Sequence, residues 1–159
     1  MGSTTNTIIA IVVGFIVTLG IAFGLLYVAS IGLPLTGPGL IPPAVAATFP
    51  AADILTQLQM VYTNFILNIV EVYILAPIVW LIGGLIGGFI ARDLTRGAAA
   101  GLIAAILAPF FTLVIGWVIA PGLDYNLLLW WVINGILGGI IAAVGGVIGG
   151  TLTSQIETR

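Results

Sequence analysis

Two long uncharged runs, LIGGLIGGFIA and GAAAGLIAAILAPFFTLVIGW, lie between Trp80 and Trp117 on either side of Arg92-Asp93-Leu94-Thr95-Arg96. About 20 apolar residues suffice to carry a helix across a ~30 Å hydrocarbon core. The stretch therefore predicts a transmembrane helical hairpin that turns at 92–96. That turn holds two of the three basic residues in the chain.

The rest of the composition agrees. Of 159 residues, 61% are hydrophobic and 5% are charged, whereas a soluble domain carries about a quarter charged residues. Such a chain has too little polar surface for a water-soluble fold, so the expected class is an all-α integral membrane bundle, one domain over 1–159, with the lipid bilayer as its main partner. Cysteine and histidine are both missing. Disulfides, iron–sulfur clusters, histidine-ligated haem and thiolate or imidazole metal sites are thereby excluded within this chain, and no metal or cofactor is expected. A net charge of −2 gives no reason to expect a nucleic-acid partner.

Read in order, the chain opens with the polar leader MGSTTNT. An uncharged run over 8–29 is long enough to be the first span; as a signal peptide it would lack a basic start and have too long an apolar stretch. Gly20 and Gly24 share one of its faces, where another helix has room to approach. The stretch 30–50 holds five of the eight prolines. It predicts an ordered apolar loop on the outer side, without a continuous helix. Over 51–76, Asp53, Gln57, Asn64, Asn68 and Glu71 recur at helical spacing and predict a polar-striped amphipathic helix. Counting back ~20 residues from Arg92 sets the outer edge of the next span near Val72. On that count 53–68 lies outside the core, with Glu71 at its boundary. Spans follow at 72–91, 97–120 and 127–152, with Asp124 placed as a helix cap.

The third and fourth spans form a pair, so Arg92, Arg96 and Arg159 share one side. The positive-inside tendency makes that side cytoplasmic. With four spans the N-terminus is cytoplasmic too; a separate crossing by 51–76 would make five and reverse it. Tyr73, Trp117, Tyr125, Trp130 and Trp131 then gather toward the outer face as an aromatic belt.

Small residues four apart mark the helix-packing faces. Gly83 and Gly87 interleave with Gly84 and Gly88 in the second span. Gly97, Gly101 and Ala105 continue in the third. The fourth carries Gly135, Gly139 and Ala143 beside Gly138, Ala142, Gly146 and Gly150. Such faces let backbones approach within one chain or between subunits. The stretch GGLIGGFIARDLTRGAAAG, within 80–150, resembles small glycine-rich multi-span membrane proteins of archaea and bacteria that are mostly uncharacterised; the resemblance carries no catalytic residue across. The hairpin is also similar to the glycine-packed hairpins of rotary ATPase rotor rings. Those need a carboxylate near mid-membrane, and neither helix here has one, which argues against a rotor role.

Glu71 is the leading candidate for chemistry. A carboxylate in low dielectric has a raised pKa and can carry protons or bind a cation, and Asn64 and Asn68 share its face. The alternative is an interface carboxylate, hydrated or hydrogen-bonded. Asn134 reads as an interhelical hydrogen bond, and Arg92, Asp93 and Arg96 as a snorkelling cytoplasmic anchor. No nucleophile with a base, paired carboxylate set or phosphate loop is visible, so no enzyme is expected. Two functions remain. One is a structural or accessory subunit that joins other membrane subunits or its own copies through small-residue faces. The other is a small oligomeric channel or transporter with a path lined by Asn64, Asn68 and Glu71.

Overall fold

The computed structural model describes residues 4–37, 40–66, 69, 74–119 and 125–157. Among these the fold is all-helical, and the one β-type pairing is an isolated bridge between Thr36 and Ile41. Four long helices form the bundle: α1 (Thr4–Ser30), α4 (Leu75–Ala91), α5 (Leu94–Ile119) and α6 (Tyr125–Glu157). Between α1 and α4 lie two short helices, α2 (Pro43–Thr48) and α3 (Ile54–Val61). Among the described residues two stretches, Thr4–Ser30 and the part of α6 from Leu129 to Ile156, are long and apolar enough to cross a membrane, while Leu75–Ala91 and the Leu94–Leu107 part of α5 are shorter apolar stretches.

Several boundaries differ from the sequence expectation for identifiable reasons. The stretch 51–76 is not one helix. Phe49–Ala51 forms a 3-10 turn and Ala52 is extended. Asp53 then starts α3 as its N-cap, accepting from the Leu55 and Thr56 amides at 3.0 and 3.1 Å. At Tyr62 the α-helix gives way to a π-helical turn, Tyr62–Ile66. The proline-rich loop also contains a helix, because Pro43 stands at the start of α2, where its missing N–H removes no bond. The five-residue charged turn contracts to Arg92 and Asp93. Arg92 closes α4 in the left-handed region (φ 53°). Asp93 opens α5 by accepting the Arg96 amide at 2.9 Å. Leu94, Thr95 and Arg96 therefore belong to the helix. The α4 helix begins at Leu75 rather than 72, with 70–73 outside the described residues.

The core has two parts. The larger joins the inner face of α1 (Ala22, Leu26, Ala29) to Phe49, Phe65, Ile66, Val79, Trp80 and Ala142. The smaller joins Ala10, Ala91 and Ala100 near the α4–α5 turn. The connecting segment is thus part of the core and not a surface cover. Ile41, Ala46 and Phe49 are buried, and Phe49 meets Phe23 edge to face at 5.1 Å. Large apolar side chains such as Ile8, Ile16, Phe110, Val114, Ile140 and Val144 are left exposed around the bundle.

Candidate functional site

Two features stand out when the polar and small residues are placed. The first is the glycine seam. A methyl carbon built on Gly84 would lie 2.8 Å from the Ala142 Cα, and one on Gly88 would lie 2.9 Å from the Gly146 Cα, so α4 and α6 touch backbone to backbone. Gly97 faces Gly146 and Gly88, and a methyl on Gly101 would lie 2.5 Å from the Ala142 carbonyl oxygen. At the turn one on Gly150 would lie 2.6 Å from the Asp93 carbonyl oxygen. Gly83 and Gly87 face α1 instead, where methyls would lie 2.9 and 3.1 Å from the Gly14 and Ala10 carbonyl oxygens. Gly139 packs on Leu102, and Gly135 is buried. The interleaved pairs therefore face two ways, toward α1 on one side and toward α5 and α6 on the other. Gly20 and Gly24 have open space before them.

The sequence reading missed several partners in this seam, Gly14 and Ala10 on α1 among them. Gly145 and Gly149 pack on the α4 backbone, where methyls would lie 2.8 and 2.9 Å from the Leu85 and Phe89 amide nitrogens. The doublets GGVIGG carried that signal, since adjacent glycines point to different faces. Thr18 is another. It is buried against Gly83, and its hydroxyl donates to the Gly14 carbonyl at 2.9 Å. Beside it, where α1, α4, α5 and α6 meet, is a cavity of about 10 Å³, at the lower limit for one water molecule.

The second feature is the interrupted helix after α3. In the π-turn, Asn64 turns back on its own helix, donating to the Met60 carbonyl at 2.7 Å. At the last residue of the turn and beyond it, two side chains from other helices satisfy the backbone. The Trp80 indole N–H donates to the Ile66 carbonyl at 3.2 Å, and the Ile69 amide donates to Asn134 Oδ1 at 2.8 Å. Asn134 and Trp80 are almost completely buried. Gly138 makes this possible: a methyl there would meet the indole nitrogen at 2.8 Å and the Ile69 side chain at 2.9 Å. The expected interhelical role of Asn134 is therefore a bond to backbone. Each such bond spares an unsatisfied buried group, a loss of about 1–3 kcal/mol.

The remaining candidates separate. Asn68 and Glu71 lie outside the described residues, as do Tyr73, Asp124 and Arg159. Asp53 is no stripe member but a cap; the Thr56 hydroxyl, donating to its carboxylate at 2.7 Å, holds its pKa below the usual value. Gln57 donates to the Phe49 carbonyl at 3.0 Å. Arg96 is half-buried, and its Nη1 has no hydrogen-bond partner among the described residues. Trp131 is buried in the core and not part of a belt, whereas Trp130 is exposed. Among the described residues, no three potential ligand side chains gather as a metal site. The chain matches no protein-family model, and no curated protein or solved structure matches it.

Proposed function

We propose that this chain is a non-catalytic, multi-pass membrane protein. It crosses the bilayer four times through α1, α4, α5 and α6, and serves as a structural or accessory subunit of a larger membrane assembly. Its termini and the Arg92–Asp93 turn face the cytoplasm. The observation that carries this reading is where the interior polar groups end. Thr18, Asn64, Trp80 and Asn134 all bond to backbone of the chain itself. Polar side chains used this way hold a fold together; a permeation path needs them facing water. The exposed apolar residues around the bundle suit lipid and neighbouring subunits. The test is purification from the native membrane in a gentle detergent, with the intact mass measured and every co-purifying chain identified. A stable hetero-complex supports the proposal. A homogeneous monomer that fractionates alone under all mild conditions refutes it.

A channel or transporter is the second reading, favoured by one observation. The helix interruption beside Asn64 is the kind of broken helix from which many transporter sites are built. A clean homo-oligomer whose ion or proton flux falls in Glu71→Gln would establish it. Unchanged flux in that variant would remove it.

A further inference from the structure

The contacts of the glycine seam provide a depth scale along the bundle. Gly150 packs on the Asp93 carbonyl, so that end of α6 is level with the α4–α5 turn. At about 1.5 Å per residue, Gly138 stands about 18 Å above this level and Asn134 about 24 Å. The Ile69 amide is fastened to Asn134, and its side chain lies on the Gly138 face. Trp80, about 18 Å up α4 by the same rise, holds the Ile66 carbonyl.

An independent scale comes from α1. Gly14 opposes Gly83, which fixes its height. Phe23 then stands about 27 Å above the turn, and Ser30 about 37 Å. The chain leaves α1 at Ser30, yet by Phe49 it is back at the height of Phe23, where the two rings meet. From there Gln57 ties α3 to Phe49, and the segment continues downward to Ile66.

If Arg92 and Asp93 mark the inner edge of a ~30 Å core, Ile66 and Ile69 sit about 6–12 Å below its outer edge. We infer that residues 54–66, with Ile69, form a re-entrant segment that descends into the outer leaflet and is fastened at its lower end by Trp80 and Asn134. This rests on the four-span reading. It departs from the sequence count, which places 53–68 outside the core. Protein covers its lower end: Val61, Tyr62, Phe65 and Ile66 are nearly inaccessible. Irregular backbone at membrane depth is tolerated where protein covers it and its polar groups find partners. The upper end differs, with Ile54 and Leu55 exposed. At the outer edge, the boundary between acyl chains and headgroups is their partner.

The chain has no cysteine, so single spin labels report without background. Labels at Ile16→Cys, Ile54→Cys, Gln59→Cys and Thr63→Cys are compared in phosphatidylcholine vesicles by their relative access to oxygen and to a water-soluble nickel chelate. The expected result is a depth that increases from 54 through 59 to 63, by at most about 13 Å for a helix along the membrane normal. Equal depths at the three sites would mean a helix lying flat and would overturn the inference. So would aqueous values at all three, which mean a helix standing clear of the bilayer. In both cases a lipid-embedded label at 16 leaves the four-span reading intact, whereas an aqueous value at 16 refutes that reading itself. Should Thr63→Cys fail to fold, the 54-to-59 difference carries the same test at up to about 7 Å.

Discussion

The glycine seam makes the sharpest stability prediction, because one atom is enough to test it. A methyl carbon on Gly84 would lie 2.7 Å from the Ala142 carbonyl carbon and 2.8 Å from its Cα. Non-bonded carbons rest at about 3.5–4.0 Å. In Gly84→Ala, α4 and α6 must therefore separate by about 1 Å, and no flexible side chain can give way, since both sides of the contact are backbone. Overpacking typically costs about 1–3 kcal/mol, and the upper end applies where dispersion contacts along a whole seam loosen together. A loss on the order of 3 kcal/mol corresponds to a melting temperature about 6–12 °C lower for a chain of this size. Gly20→Ala is the matched control. It makes the same chemical change in a helix with open space before it, where alanine is favoured by up to about 1 kcal/mol. Thermal unfolding of both variants in one detergent, followed by circular dichroism, measures the difference. Equal melting temperatures for Gly84→Ala and Gly20→Ala would refute the close approach of α4 and α6.

Other predictions follow from single bonds. Asn134→Leu strands the half-buried Ile69 amide and is expected to cost about 2 kcal/mol, whereas Trp80→Phe both strands the Ile66 carbonyl and leaves a cavity where the larger ring packed, and is expected to cost more, about 3 kcal/mol; unfolding midpoints of the two variants would rank them. Asp53 has a lowered pKa in the folded state, so its cap stabilises α3 fully above the unfolded-state value of about 3.9 and loses that effect as pH falls through the lower folded-state value. Hydrogen exchange at the Leu55 and Thr56 amides, corrected for intrinsic rates, should therefore show undiminished protection at pH 5 and falling protection below pH 4. Arg92 occupies the left-handed region at φ 53°. Replacement by glycine relieves about 1 kcal/mol of backbone cost, so Arg92→Gly should unfold at a higher temperature than Arg92→Ile.

The long helices were legible because long uncharged apolar runs leave few alternatives. An uncharged run of the right length, bounded by the charges at Arg92 and Asp93, specifies both a helix and its end. The small-residue faces were legible too, but not their partners. Four-residue spacing says that a backbone can approach; it does not say which one. Gly83 and Gly84 are neighbours in sequence, yet one meets α1 and the other α6. Thr18 escaped notice because a lone hydroxyl in an apolar run carries no periodic signal. It belongs to the seam only because its helix packs against Gly83.

The segment between α1 and α4 shows what periodicity cannot reach. A polar stripe at helical spacing assumes that the helix continues, and here the three described residues of the stripe have unrelated tasks. Asp53 closes the start of α3, Gln57 holds the Phe49 carbonyl, and Asn64 bonds within its own turn. The change from α to π geometry at Tyr62 shifts the register of every later position, so a stripe drawn through it joins faces that do not coincide. What fixes the segment is supplied from far along the chain, by Trp80 on α4 and Asn134 on α6. The segment therefore cannot take its final backbone path before those helices are in place. It should form late in assembly, and its amides should exchange sooner than those of the seam. Native-state exchange in vesicles would show this as two protection classes. A single class shared by Ile66 and the α4–α6 seam would mean that the segment and the bundle form as one unit.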